Sequence, residues 1–307
     1  MSRRLQAPGP RYGEKVIQGL LALCALLSVL TTTAIVIALI EPTIDFLGVV
    51  PIEEFLTGTE WSPQFEPPSF GVLPIVAGTL NVALWAMLFA IPIGLGVAIY
   101  LSEYASPRVR RTVKPVLEIL AGIPTVAIGI FAVTFILPHL IQPLWPGELL
   151  GGAEKPFMAL AASLGIGLMV VPIIASISED AMSAVPSGLR EGAYAMGATR
   201  MKVATRVVFP AAISGIVASI VLAISRTVGE TMVVLLAAGS TPSLTFLPNE
   251  AVQTMTAYIA VVATGDLSTG SLDYKSVFAV GTLLFLMSLA MNLLSIRLVR
   301  RYREVYE

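Results

Sequence analysis

The sequence predicts an all-α integral membrane protein: six transmembrane helices with both termini in the cytoplasm. Three observations carry that expectation. Hydrophobic residues make up 56% of the 307-residue chain and charged residues only 13%, with a mean hydropathy of +0.84. A soluble domain is about a quarter charged, so the deficit of charge identifies the solvent as lipid. Charge-free runs long enough to cross a hydrocarbon layer about 30 Å thick then recur along the chain. Finally, the basic residues are sorted to one side of those runs.

The first run, Val16–Ile40, is too long for a signal-peptide core and lacks a clean small-residue cleavage site, so residues 16–40 are read as a retained first span behind a short cytoplasmic segment, 1–15. An acidic extracytoplasmic loop, 41–69, carries Glu41, Asp45, Glu53, Glu54, Glu60 and Glu66 with no basic residue. Residues 70–300 hold the other five spans. Charge is missing from Phe70 to Ser102, with the membrane part beginning after Pro74, and then from Val116 to Leu137 (apart from Glu118 near its start), Phe157 to Ser178, Val207 to Ala238 (apart from an embedded Arg and Glu) and Ser276 to Ile296. Ala251–Ala263 is apolar but too short to cross, which suits a re-entrant or surface helix. Residues 301–307 form a cytoplasmic tail. Cys24 stands alone in an apolar run and reads as a small hydrophobe, not part of a disulfide framework.

Orientation follows from the cations. Arg3, Arg4, Arg11 and Lys15 precede the first span, and Arg108, Arg110, Arg111 and Lys114 follow the second. Arg190, Arg200, Lys202 and Arg206 cluster in one loop, and Arg297, Arg300, Arg301 and Arg303 close the chain. These are sixteen of the nineteen basic residues. Lys155 and Lys275 lie opposite, and Arg226 lies inside a span. The positive-inside rule places both termini and the cationic loop in the cytoplasm.

That loop, 179–210, contains Glu191-Gly192-Ala193-x3-Gly197-x9-Val207-x-Phe209-Pro210. Pro186 should break the preceding helix, with Ser187 capping a new one that has Glu191 in its first turn. Gly197 can adopt the positive φ that ends this helix, and Thr199 can start the next. Two short helices meeting at a glycine elbow make a knob that a soluble partner can grip. The spacing resembles the EAA signature of ABC-importer permeases, E-A-A-x3-G-x9-I-x-L-P, with Gly192, Val207 and Phe209 as departures. The resemblance implies that Glu191, Gly192, Ala193, Gly197 and Pro210 couple this chain to a separate ATPase.

The chain itself has no G-x-x-x-x-G-K-[ST] phosphate loop, no HExxH and no Cys/His cluster. A transport subunit is therefore expected, not an enzyme, with no cofactor, no metal and no nucleic-acid partner. His139, the single histidine, reads as an interfacial polar tip.

Inside the fifth span lies Ser225-Arg226-Thr227-Val228-Gly229-Glu230-Thr231-Met232. A membrane arginine is costly unless it faces protein or water. Glu230, four residues on, is expected on the same face and within ion-pair reach. Pro210 to Arg226 spans roughly 24 Å of helix, placing the pair at or somewhat outside the bilayer middle. Two readings stand open: a structural tie between helices, or an anion site in which the planar guanidinium fork meets phosphate or carboxylate oxygens.

This passage resembles the membrane subunits of the phosphate-specific (Pst) ABC importers. So do Phe70-Gly71-Val72-Leu73-Pro74 with Gly78-Thr79-Leu80, Ile99 to Ala105, and Leu117 to Thr125. Glu60-Trp61 and Glu230-Thr231-Met232 look more PstC-like than PstA-like. The resemblance implies inorganic phosphate as substrate, Arg226 and Glu230 as substrate-binding residues, and a complex embedded in membrane lipid. Its other members would be a second homologous permease, a P-loop ATPase dimer and an extracytoplasmic phosphate-binding protein. Guanidinium geometry alone leaves sulfate and molybdate open. An ATP-independent anion channel or carrier is the competing class. The acidic outer face opposes it, since such a mouth repels free anions.

Several smaller features have ordinary readings. Pro92, Pro124 and Pro172 can kink spans. Asn81 and Asn292 suit interhelical hydrogen bonding, and Glu118 can pair with Lys114. Trp61, Trp85 and Trp145 suit interfaces or packing.

Overall fold

The computed structural model describes residues 12–144, 156–265, 268 and 270–301; Trp145 and Lys155 lie outside them, as do Arg3, Arg4, Arg11 and Arg303. In chain order the elements are α1 (Tyr12–Leu47), α2 (Ile52–Thr57), β1 (Trp61–Ser62), β2 (Ser69–Phe70) and α3 (Leu73–Ile99), which runs into a π turn at Tyr100–Tyr104. Then come α4 (Pro107–Ala121), α5 (Thr125–Phe131) with a π continuation to Ile141, and α6 (Ala159–Ser183). Next are α7 (Ser187–Ala195), α8 (Arg200–Val203), a π turn at Ala204–Val208, and α9 (Phe209–Ala211). The remaining helices are α10 (Ile213–Val228), α11 (Met232–Ala237), α12 (Met255–Thr264) and α13 (Leu272–Arg301).

Among the described residues, four helices are long and apolar enough to cross a membrane: Gly13–Leu47, Leu73–Tyr104, Ala159–Ser183 and Leu272–Arg297. Two bent pairs bring the number to six if each pair is one span. The bend in the third span falls at Pro124, one of the expected kink positions; the breaks in the fifth span correct its reading as one continuous helix. Between α4 and α5 the axis turns by 89°. Pro124 offers no N–H to continue α4 and pushes Ile123 out of helical geometry, while Gly122 closes the helix. The strongly amphipathic α4 therefore leaves the direction of the apolar run Thr125–Ile141. Between α9 and α10 the turn is 72°, beside Pro210. A second break follows at Gly229–Thr231, so Val207–Ala238 is three pieces, not one rod.

The α3 and α6 helices form the centre of the bundle. A Cβ at Gly94 would stand 2.8 Å from Ile174, so that glycine serves close packing and not a kink. Around this pair gather Ala86, Ile128, Ile136, Ile166, Val170, Ala223 and Val233. Helix α1 lies apart. Its apolar side chains from Val16 to Ile37 are largely exposed, as lipid-facing residues must be, and it meets α13 through Thr43 and Thr282 (2.9 Å) and a Lys275–Asp45 ion pair (2.8 Å). The exposed Cys24 sits on this lipid-facing helix, not in a core.

A small aromatic cap covers one end. The β1–β2 hairpin pairs Trp61 with Phe70, and Trp61 meets Tyr258 edge-on at 4.8 Å. Phe46 contacts Phe55 and Phe70 in the same way. Asn81 and Trp85, on α3, hold the extended strap between α11 and α12: Asn81 donates to Thr245 O (2.9 Å) and Leu247 O (3.3 Å), and Trp85 Nε1 donates to Phe246 O (3.1 Å). Asn292 accepts from Ser225 (3.2 Å), tying α13 to α10, as expected for an interhelical contact.

Candidate functional site

The glycine elbow forms between α7 and α8. Gly197 has φ +79°, where an L side chain is strained. Its N–H donates to Tyr194 O (2.9 Å), and the Ala198 N–H reaches back to Ala193 O (3.1 Å). This pair of bonds is a Schellman closure, and Ala193 and Ala198 pack together on the Val203–Val208–Ile216 cluster as that motif favours. Thr199 Oγ1 accepts from the Lys202 N–H (3.4 Å) and starts α8, as its position suggests. The start of α7 differs from expectation. Pro186 occupies the N-cap, Ser187 is already helical, and Glu191 lies mid-helix instead of in the first turn. Pro186, with its fixed φ, sets the entry of the chain into α7, and no side chain caps this helix start. Glu191 and Gly192 are exposed. A Cβ at Gly192 would meet nothing within 4 Å, so glycine in place of alanine leaves the knob's shape unchanged. Met196 is 89% exposed at the elbow's tip.

Gly197→Val should destroy this closure without touching the bundle. A β-branched residue at φ +79° is strained by at least about 1 kcal/mol, so the elbow opens. The expected result is normal membrane insertion and thermal stability of the chain, with reduced co-purification of the ATPase and lost transport. Unaltered capture and transport would show that the elbow is not a docking element.

Two buried carboxylates that the sequence reading did not single out lie beneath the elbow. Glu103, in the π turn after α3, accepts from Arg190 Nε (3.2 Å) and Nη2 (3.1 Å), and from Ser102 Oγ (2.9 Å). The same guanidinium donates to Val185 O (2.5 Å) and Met182 O (2.7 Å) at the end of α6. Glu179, 1% exposed, is held by Arg110, by Lys114 (3.0 Å) and by Ser183 Oγ (2.8 Å). Lys114 also pairs with Asp180, so the expected Lys114–Glu118 pair gives way to a clamp between α4 and α6. Burial disfavours the Lys114 ammonium, but its hydrogen bonds to Asp180 and Glu179 prevail and raise its pKa above the ordinary 10.5. Its contribution is therefore complete below that value and lost as pH rises through the folded pKa. The available signal was a carboxylate at the edge of each charge-free run, just where chain reversal brings cations.

Within the membrane, the expected Arg226–Glu230 ion pair is not formed. Helix α10 ends at Val228, so the two residues no longer share a helical face. Glu230 is buried; its backbone O accepts from Thr256 Oγ1 (2.7 Å), and its carboxylate accepts from the Val233 N–H (3.4 Å) at the start of α11. Thr254, Thr256 and Thr79 continue this polar seam through hydrogen bonds of 3.1 Å and, from the Met255 N–H to Thr79 Oγ1, 3.0 Å. Arg226 sits in the last turn of α10 with its guanidinium beside Met169 Sδ of α6 (3.6 Å), a weak acceptor. Among the described residues no carboxylate pairs with it, and it is exposed on the bundle's flank. Four of its five N–H donors thus remain available to an external anion. His139 is exposed and stacks on Phe135 (5.2 Å).

The family of binding-protein-dependent transport system inner membrane components matches residues 90–304. The chain belongs to that family. Among relatives of this inner membrane component, the probable ABC transporter permease YqgH of Bacillus subtilis is 34% identical, covering 92% of this chain and 89% of the relative. The phosphate transport permease PstC of Mesorhizobium japonicum is 34% identical over 76% of this chain and 74% of its own length. PstC of Haemophilus influenzae is 31% identical over 95% and 94%. Among solved structures, a bacterial alginate ABC transporter aligns with a TM-score of 0.65 at 17% identity, over 95% of this chain and 98% of that one. The MetNI methionine transporter aligns at 0.56 and 21%, over 74% and 94%. These likenesses establish the permease fold, and the chain is an ABC-importer permease subunit. Such subunits transport and do not catalyse.

Proposed function

We propose that this chain is the PstC-like half of an ATP-driven importer of inorganic phosphate, with six spans and both termini cytoplasmic. Its partners are a second homologous permease, a pair of P-loop ATPase subunits of which one docks on the Glu191–Pro210 elbow, and an extracytoplasmic phosphate-binding protein that delivers the anion. The observation that carries the reading is Arg226: a guanidinium within a membrane helix whose internal acceptor is a thioether, in a chain a third identical to PstC permeases. A planar fork left open in this way suits an oxyanion handed over by another protein. The acidic outer face supports delivery by a carrier over collection of free anion.

The test is reconstitution of the chain with its cognate permease, ATPase and binding protein in vesicles. Radiolabelled phosphate uptake should require ATP and all four proteins, with sulfate and molybdate failing to compete. Uptake of sulfate in place of phosphate would overturn the substrate, and ATP-independent uptake by this chain alone would overturn the class.

A further inference from the structure

Arg190 adjoins Glu191 of the signature yet points away from the docking surface, into the bundle. Its side chain is 19% exposed and that of Glu103 5% exposed, so the pair is shielded from the screening that makes surface ion pairs weak. Both Nε and Nη2 converge on Glu103 Oε1, while Nη1 and Nη2 take Val185 O and Met182 O. One guanidinium on α7 therefore grips two elements at once. One is the cytosolic end of α3, through a carboxylate. The other is the C-terminal end of α6, where unsatisfied carbonyls carry the negative pole of the helix. Neither grip is a docking contact. If the purpose were to hold α7 on the bundle, the packing of Ala193 and Ala198 would already serve.

The geometry points to Arg190 as a positioning residue that transmits movement of the ATPase-docked elbow to α3 and α6. Helix α6 carries that movement inward: Met182, which Arg190 holds, lies thirteen residues from Met169, which touches Arg226, or about 20 Å along the axis. The elbow and the anion-facing arginine are thus joined by one rod with a polar clasp at its cytosolic end. A lysine in place of Arg190 keeps the charge but cannot reach three acceptors in two directions.

This inference rests on the proposed importer, so the wild-type complex is measured first, for phosphate taken up per ATP hydrolysed. Absence of ATP-driven uptake there would count against the importer reading. With wild-type coupling in hand, Arg190→Lys and Arg190→Gln should assemble with normal ATPase capture, the Gln variant at a lowered thermal midpoint because the buried Glu103 loses its counter-charge. They should hydrolyse ATP at basal rates yet lose at least about tenfold in phosphate moved per ATP, Gln more than Lys. Glu103→Gln leaves the carbonyl bonds in place and should uncouple more mildly; it decides the matter should the Arg190 variants not assemble. An unchanged coupling ratio in these variants would overturn the assignment. So would a fall in ATPase capture that fully accounts for the lost uptake, since Arg190 would then be a docking or folding residue.

Discussion

Arg226→Lys is expected to cut phosphate uptake at least about tenfold while leaving the complex assembled. Each charge-assisted hydrogen bond contributes about 1.5–3 kcal/mol, and a factor of ten in rate or affinity needs about 1.4 kcal/mol. Lysine retains the charge but presents a compact ammonium in place of a planar fork, so loss of one bidentate contact alone predicts at least a tenfold fall. The double change Arg226→Gln with Glu230→Gln sharpens the test. Were the two residues a structural tie, removing both charges would restore function, because the damage in a broken pair comes from the charge left behind. Glu230 instead faces Val233 and Thr256, and Arg226 faces Met169. The double variant should therefore assemble and remain inactive. Uptake in cells, measured beside recovery of the complex, distinguishes the outcomes; a fully active double variant would defeat the assignment of Arg226 to the anion.

Removing both cations of the α4–α6 clamp should be strongly destabilising. In the Arg110→Ala, Lys114→Ala chain the Glu179 carboxylate, 1% exposed, keeps Ser183 as its hydrogen-bond donor but loses both counter-charges. Stranding a buried charge costs about 3–5 kcal/mol; the value here should fall near the lower figure, because the cations themselves are partly hydrated and the site can draw in water. Adding Glu179→Gln should recover much of the loss, since a neutral amide needs no counter-charge. Thermal midpoints in detergent for wild type, double and triple variants provide the cycle. Equal midpoints for double and triple would show that Glu179 is not an uncompensated charge when its cations are gone.

How far the sequence reaches is visible residue by residue. Gly197 was legible because a glycine followed by a capping threonine determines a helix stop and a helix start locally, and the +79° φ and the Thr199 cap agree with it. Ser187 was misread because capping preference was applied one residue late, where Pro186 had already set the entry. The Arg226–Glu230 pair failed for a related reason. The i, i+4 argument presumes an unbroken helix, and Gly229 ended it. Glu103, Glu179 and Arg190 were read only as charges on one side of a membrane, because which carboxylate meets which cation depends on segments that are distant in sequence: 87 residues separate Arg190 from Glu103, and 65 separate Lys114 from Glu179.

By itself the sequence determined the solvent, the apolar runs and the location of the elbow. These follow from composition, run length and local backbone preference, each a property of a short window. Tertiary structure alone decided the 89° and 72° bends, the clasp of Arg190 on α3 and α6, and the separation of Arg226 from Glu230. The physical reason is that proline and glycine permit a break but do not choose its angle. That angle is chosen by what the two halves can pack against, and with it which buried charges come within reach of one another.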